Sequence, residues 1–310
     1  MKILLFTHKN DIDGLGNVVL ANLSFDKVEY VLCGTFNLEE NILNYLNNGK
    51  IYDYDKIFIT DLCLDEPLLS KVAKDEKLKA KILVFDHHKT YDNEKYTQYE
   101  FINLQIKNDK GLCCGTSLFY DYLINQGLID EKNLVIKEFV ELTRQHDTWE
   151  WKIYNNEKAR ELAILFDVIG CDNYISKMTK KLSNINNNVL DFGNLEKTLI
   201  SNRLRQIEEN LKIYSSKIIY RDILGMRAGI IFITYEYRNE LAEYLRENNY
   251  DMDFVMMISF DYEVVCYRSI KDKVNISLVA EHFGGKGNNK TGSNPLSKDI
   301  QEKLVDILIK

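Results

Sequence analysis

The sequence predicts an α/β protein: an N-terminal, mostly parallel sheet with flanking helices, a helical linker and a smaller α/β C-terminal domain. Three observations carry this. Short apolar runs alternate with helix-like stretches through the first half of the chain. A polar, Asn-rich stretch, Ser183 to Asn194, then interrupts it. Beyond that break a second set of strand-like runs begins, and 310 residues at roughly 150 per domain suit two domains.

Lys2 to Thr7 (KILLFT) is an apolar run, and Leu15 to Leu23 is a helix candidate. Lys27 to Cys33 reads as a strand and Leu38 to Leu46 as a helix. Lys56 to Thr60 (KIFIT) is the next strand, followed by a helix with Pro67 in its first turn, where a missing N–H does no harm. Lys81 to Phe85 (KILVF) is another buried run. Strands too apolar to have a wet face, alternating with helices, imply βαβ units. Gly115-Thr116-Ser117 opens a helix near Leu118 to Leu123, and Val135 to Arg144 predicts another. After the Asn-rich linker, Leu195, Leu199, Leu204, Ile207 and Leu211 recur at helical spacing. Met226 to Thr234 reads as a strand and Glu240 to Glu247 as a helix. Phe254 to Phe260 and Glu263 to Arg268 form an antiparallel pair about Asp261-Tyr262. A helix near Leu278 to His282 runs into Gly284-Gly285-Lys286-Gly287. The expected division is 1–183, then 184–220 as linker and long helix, then 221–310.

Composition narrows the function. Hydrophobic residues make up 45% and charged residues 28%, an ordinary globular balance. A net charge of −7 argues against a duplex-DNA or membrane-surface binder, because those present broad basic faces. No apolar run approaches a membrane span, and the start, MKILLFTHKND, is too short in apolar residues for a signal peptide, so a cytoplasmic location is expected. The six cysteines form no CxxC pair and suit reduced, buried thiols.

The five histidines are the sharper clue. His8, Asp11 and Asp13 follow the first strand, Asp61 follows KIFIT, Asp86-His87-His88 follows KILVF, and His146-Asp147 ends a helix. Ligands of open α/β sheets bind outside the carboxyl ends of the strands, so three of these clusters converge on one crevice. Imidazole and carboxylate without thiolate suit Mn²⁺, Mg²⁺ or Fe²⁺. Six such groups are too many for one ion with an open position and suit two, about 3.5–4 Å apart. The implied chemistry is metal-assisted hydrolysis of a phosphoester or phosphoanhydride.

In the order THKNDIDGLGN, ITDL, FDHHKT and HDTWEW, these motifs resemble the DHH phosphoesterase superfamily, and the resemblance continues through CYRS and FGGKGNNKTGS into the DHH-associated C-terminal domain. HDTWEW is most similar to the bacterial nanoRNase (oligoribonuclease) branch. The resemblance implies that His8 and Asp11 bind one metal, that Asp13, His87 and Asp147 bind the other, and that Asp61 bridges them. It implies that Asp86 fixes the tautomer of His87 and that His88 faces the phosphate as hydrogen-bond donor or general acid. The two metals are expected to be Mn²⁺, with Mg²⁺ as the alternative. The gap of three between His8 and Asp11 departs from the usual two or four.

Substrate-binding residues are expected in the C-terminal domain: Arg268, Gly284, Gly285, Lys286, Gly287 and Asn288. A Gly-rich turn lets N–H groups approach an anion, and Arg268 can fork onto a phosphate. Asn288 stands where the family's motif has a histidine. Residues 264–293 hold five basic side chains against two acidic ones, net +3 in an acidic chain. Trp149 and Trp151 flank Glu150, and alternation packs one of them inward. Asp13-Gly14-Leu15-Gly16 lacks the third glycine of a dinucleotide fingerprint. The expected activity is hydrolysis of short oligonucleotides to mononucleotides in a cleft between the two domains, with no duplex DNA or membrane partner and with a homodimer left open. The alternatives are a 3′,5′-bisphosphonucleotide phosphatase, a cyclic-nucleotide phosphodiesterase, a manganese pyrophosphatase and, outside enzymes, a nucleotide-binding regulator.

Overall fold

The structure, a computed structural model, describes residues 1–34, 37–91, 94–184 and 189–309. It divides into two compact units, Met1–Ser201 and Asn202–Lys310. The centre of the expected linker, 185–188, lies outside the described residues.

Unit one is built on a five-stranded sheet of β1 (Lys2–His8), β2 (Lys27–Cys33), β3 (Lys56–Thr60), β4 (Ile82–Asp86) and β5 (Ile102–Leu104), ordered β2-β1-β3-β4-β5. Every pairing is parallel. Both faces are covered, which is why the strands read as continuous apolar runs. On one face Leu4, Phe6, Ile57, Ile59 and Val84 pack with residues of α2 (Leu38–Asn47) and α3 (Glu66–Lys74). On the other, Phe58 and Phe85 each meet Phe119 and Tyr122 with ring centroids 5.0–5.6 Å apart.

The first helix, α1 (Ile12–Ser24), starts three residues earlier than the periodicity predicts. Asp11 caps it, its Oδ1 accepting the Gly14 N–H at 2.9 Å. Gly14 is required there, because a Cβ would lie 1.9 Å from the His8 carbonyl oxygen. The helix is buried from Ile12 to Ala21, and it packs on α4 (Gly115–Asn125) through Gly16, whose Cβ would strike Thr116 Oγ1 at 2.5 Å. The helix carrying His146-Asp147, α5 (Leu134–Asp147), runs one residue before and three beyond its expected span. Two helices that the apolar periodicity does not isolate follow: α6 (Glu157–Ile169) and α7 (Cys171–Leu182), joined at Gly170.

The long helix α8 (Asn194–Ser215) leads into unit two. There β6 (Ile219–Ile223), β7 (Met226–Phe232), β8 (Phe254–Ser259), β9 (Val264–Ser269), β10 (Lys286–Gly287) and β11 (Thr291–Pro295) form a sheet ordered β10-β11-β9-β8-β7-β6. Only β7 and β8 pair in parallel among these strands. Unit two also holds helices α9 (Arg238–Glu247), α10 (Ile276–His282) and α11 (Lys298–Leu308), with Phe254, Tyr267, Ile276 and Val279 in its core. The expected β8–β9 hairpin is present with its turn at residues 260–263. All six cysteines are free, and all but Cys171 are buried.

Gly14→Ala is expected to destabilise the protein by about 1–3 kcal/mol, since the colliding atom is backbone and cannot swing aside. A shift of the urea midpoint measures this; an unchanged midpoint would show that the start of α1 can move off β1.

Candidate active site

In a 2-1-3-4-5 sheet the order of connection reverses between β1 and β3, and that switch point opens the crevice at the strands' carboxyl ends. A buried hydroxyl pair closes its floor: Thr60 Oγ1 donates to Thr7 Oγ1 at 2.8 Å, and Thr7 donates to the Gly14 and Thr60 carbonyls. Above it, His8 ends β1, Asp11 and Asp13 begin α1, Asp61 follows β3, and Asp86 to His88 continue β4. Asp147 arrives from the last turn of α5.

These side chains converge. His8 Nδ1 lies 2.6 Å from Asp11 Oδ2 and 3.7 Å from Asp61 Oδ2. His87 Nε2 lies 3.3 Å from Asp61, 3.7 Å from Asp13 and 3.5 Å from Asp147. Among the described residues three groups thus have donor atoms close enough to share an ion: His8, Asp11 and Asp61; Asp13, His87 and Asp147; and Asp61, Asp86, His87 and His88. Asp61 is near both of the first two. The three-residue gap before Asp11 does not pull His8 out of the cluster, because the cap geometry of Asp11 turns its carboxylate back onto the imidazole.

Asp86 behaves differently from expectation. Its Oδ1 lies 2.8 Å from His88 Nδ1 and holds that ring rather than His87. The same oxygen also accepts the His88 backbone N–H, at 3.5 Å, in the manner of an Asx turn, which brings it beside that ring. The other oxygen, Oδ2, is buried with no hydrogen-bond partner among the described residues.

Two glycines and a helix start hold the cluster. Asp61 sits at φ 56°, in the left-handed region, with its N–H donated to the Phe85 carbonyl. Gly115 packs beneath it: a Cβ there would come within 2.7 Å of Asp61 Cβ. The Asp13 carboxylate is fully buried and accepts the Gly115 and Thr116 N–H groups, each at 2.7 Å. These are unsatisfied donors of the first turn of α4, where the helix dipole favours a negative charge. Sequence alone marks Gly115-Thr116-Ser117 only as a helix start. Two small-residue runs, Asp13-Gly14-Leu15-Gly16 and Gly115-Thr116, are the available signal for a close approach.

The HDTWEW segment is pinned by Arg144, which is buried and donates to Glu141, Glu150 and the Leu112 carbonyl. Trp151 packs inward and Trp149, at φ 61°, stays 44% exposed, so one of the pair is buried as alternation predicts.

Electrostatics set what the cluster can hold. Burial, and after it the charges of Asp13 and Asp11, push Asp61 and Asp147 well above the usual carboxylate range. Burial also pushes Asp11 up, but the His8 hydrogen bond and charge outweigh it and the net shift is down. Burial lowers His87 despite nearby Asp13, favouring the neutral imidazole, and lowers His146 to about 4. The hydrogen bond to Asp86 raises His88. Nearby thiols are poor competitors, because burial lifts Cys63 to about 12 and Cys114 well above its ordinary value. Carboxylates that repel one another and a neutral imidazole, with no thiolate beside them, are a donor set for hard or borderline divalent cations.

In unit two the glycines of the expected anion loop have an internal explanation. A Cβ on Gly285 would lie 2.3 Å from the Ser293 carbonyl oxygen, and one on Gly287 would lie 2.4 Å from that of Thr291. The N–H groups of Gly284, Gly285 and Asn288 are donated to the carbonyls of Glu281, Ala280 and Thr291. Asn288 Oδ1 accepts from the N–H groups of Lys290 and Thr291, both at 2.9 Å. The loop therefore offers an anion the side chains of Lys286 and Asn288 rather than a nest of free N–H groups. Arg268 lies on β9 with two guanidinium nitrogens on Asn239 Oδ1.

No protein-family model matches the chain. It is similar to the oligoribonuclease NrnB of Bacillus subtilis, 29% identical over 304 residues, which is 97% of this chain and 74% of that one. Among solved structures, the DHH domain of a member of a ribosomal-protein family superposes at TM-score 0.60 and 16% identity, over the whole chain and 87% of the other. Exonuclease RecJ bound to manganese gives 0.54 at 12% identity, covering 98% and 88%. The pGpG-specific phosphodiesterase PggH of Vibrio cholerae gives 0.52 at 14%, covering 100% and 98%. The resemblance expected from the motifs is matched by a likeness in sequence to an oligoribonuclease over nearly the whole chain and by a likeness in fold to a DHH domain. No helix among the described residues is long and apolar enough to cross a membrane.

Asp61 and Asp147 hold their protons to a higher pH folded than unfolded. Without a cation, that contribution to stability is present below the ordinary carboxylate range and is lost as pH rises through their raised pKa values. Mn²⁺ is therefore expected to raise Tm more at a pH of about 7.5 than at about 5, and Asp61→Asn to raise the Tm of the chelated protein while shrinking the Mn²⁺ response. Thermal melts in chelator and in Mn²⁺ measure both; an equal Mn²⁺ shift in wild type and variant would exclude Asp61 as a ligand.

Proposed function

We propose that the protein is a metal-dependent phosphodiesterase that hydrolyses short oligonucleotides to mononucleotides. One observation carries the reading: His8, Asp11, Asp13, Asp61, His87 and Asp147 gather into two donor groups that meet at Asp61. The likeness over most of the chain to an oligoribonuclease supports the substrate class.

His8 and Asp11 would hold one divalent ion and Asp13, His87 and Asp147 the other, with Asp61 shared. Mn²⁺ fits the donors, and Mg²⁺ is the alternative. Two such ions supply positive charge that makes water a nucleophile near neutral pH and offsets the charge of a phosphoryl group under attack. The rest is the protein's own work. The α4 N–H groups fix the direction of the Asp13 carboxylate. Neutral His87 offers Nε2 to the cluster. Asp86 holds His88 through Nδ1 and favours its charged form, so the half-exposed ring presents an Nε2–H to a phosphate oxygen or to the leaving oxygen. Arg268 and Lys286 of unit two would bind the phosphate of the substrate remote from the bond broken, with Gly284, Gly285 and Gly287 shaping the loop and Asn288 closing it.

With Mn²⁺ and labelled oligonucleotides from dimer to roughly 20-mer, mononucleotide release is expected to be fastest on the shortest substrates. Release at no length would reject the proposal, and phosphate release from a 3′,5′-bisphosphonucleotide alone would favour the phosphatase reading. Asp61→Ala is expected to abolish turnover. His88→Ala is expected to lower kcat by about 10²–10⁴ and to remove the loss of activity that wild type shows as pH rises through the raised His88 pKa; an unaltered pH profile would remove His88 from proton transfer.

A further inference from the structure

Among the guanidinium groups of unit two that have no carboxylate partner in the described residues, Arg238 and Arg268 lie in one neighbourhood, because Arg268 donates to Asn239, the residue after Arg238. Arg238 is the first residue of α9, and its Nη1 donates only to the Tyr235 carbonyl, at 3.0 Å. Arg268 donates to Asn239 Oδ1 and the Tyr267 carbonyl. The charges of Arg238 and Arg246 both act unfavourably on the Arg268 guanidinium. Arg246 is already paired with Glu243. The start of a helix also carries the positive end of its dipole, so Arg238 occupies a position where a cation is disfavoured. Like charges gathered this way are stabilised by an anion between them.

Beside them stands an aromatic ladder. The Arg238 guanidinium lies 3.8 Å from the centroid of Tyr235, a distance reachable only over a ring face. Tyr262 stacks on Tyr235 at 4.3 Å and 21°, so it must take the other face. Tyr262 is 67% exposed, and its outer face is the open end of the ladder. The arrangement is held in place: Asp261 accepts the Tyr235 N–H at 3.1 Å and the Ser259 hydroxyl, tying the β8–β9 turn to the segment before α9. A second stacked pair, Phe232 and Phe260, lies at the same ends of β7 and β8, with both rings exposed.

We infer that Tyr262, Tyr235 and Arg238 form a base-and-phosphate subsite for a single-stranded oligonucleotide, with a base stacked on the outer face of Tyr262 and a phosphate on Arg238 and Arg268. Cations without acid partners next to rings with a free face are the two elements of single-strand recognition: charge follows the backbone and stacking tolerates any base. A purely apolar partner would leave the guanidinium pair uncompensated. The inference deepens the proposed function and rests on it for the substrate class.

The test uses the full chain and a 5′-phosphorylated, fluorescently labelled dinucleotide. Binding is measured in EDTA, and hydrolysis separately in Mn²⁺. Tyr262→Ala is expected to weaken binding roughly fivefold or more, to raise KM by more than it lowers kcat, and to be rescued by Tyr262→Phe. Arg238→Gln is expected to weaken binding and to reduce the slope of log affinity against log salt by about 0.7. If wild type hydrolyses oligonucleotides and both variants keep its affinity and KM, the subsite is overturned while the proposed function stands. If wild type hydrolyses nothing yet binds in EDTA, and the variants bind more weakly, the subsite stands and the proposed function fails. Wild type that binds no dinucleotide in EDTA overturns the subsite. So does a sedimentation change in Tyr262→Ala at unchanged affinity, which would assign the patch to a second copy of the chain.

Discussion

Mutual repulsion among the carboxylates at the β1/β3 switch point is the constraint on which the rest of unit one depends. Asp11, Asp13, Asp61 and Asp147 approach one another closely, and Asp13 and Asp61 are buried. Unpaired buried charge is strongly unfavourable, so each must be compensated. Asp13 is compensated by two N–H groups of α4, more than a hundred residues away in sequence. Asp11 is compensated by His8 and its helix cap. Asp61 and Asp147 share His87, whose imidazole is itself driven towards neutrality, and Asp61 also lies 3.7 Å from His8, which Asp11 already holds. The fold brings these groups together with more carboxylate than compensating positive charge around them.

Seen this way, the local oddities have one origin. Gly14 and Gly115 are small because the backbone and Asp61 come that close, and Asp61 adopts a left-handed conformation that a non-glycine residue tolerates only when its surroundings over-determine it. Arg144 and Glu150 fix the turn after α5 and so the direction from which Asp147 enters.

Much of this was legible in the sequence, because period-2 and continuous apolar runs report strands and because polar residues directly after buried strands have few other roles. His8, Asp11, Asp13, Asp61, His87 and Asp147 were legible for that reason, although their roles as ligands remain a proposal. The partner of Asp86 was not legible, since adjacent histidines at 87 and 88 differ only in which way each ring turns. Gly115 and Thr116 were missed because their contact with Asp13 and Asp61 spans units of chain that no local pattern connects. In unit two the glycines of residues 284–287 looked like an anion nest and prove to be the consequence of a tight hairpin, because a free N–H and a close backbone approach leave the same residue type in the sequence. The exposed edge strand β6 carries no alternation to read, and the Tyr235–Tyr262 stack joins two turns that are distant in sequence.

The acidic net charge now has a location as well as a value. The carboxylates that contribute to −7 include those concentrated at one crevice of unit one, while residues 264–293 are basic. The central claim is that the crevice holds two cations sharing Asp61, and electron paramagnetic resonance of the chelated protein titrated with Mn²⁺ tests it most directly. The account predicts two tightly bound ions per chain whose signals are magnetically coupled in wild type and uncoupled in Asp61→Asn. Two independent uncoupled ions in wild type, or no tight binding at all, would contradict it.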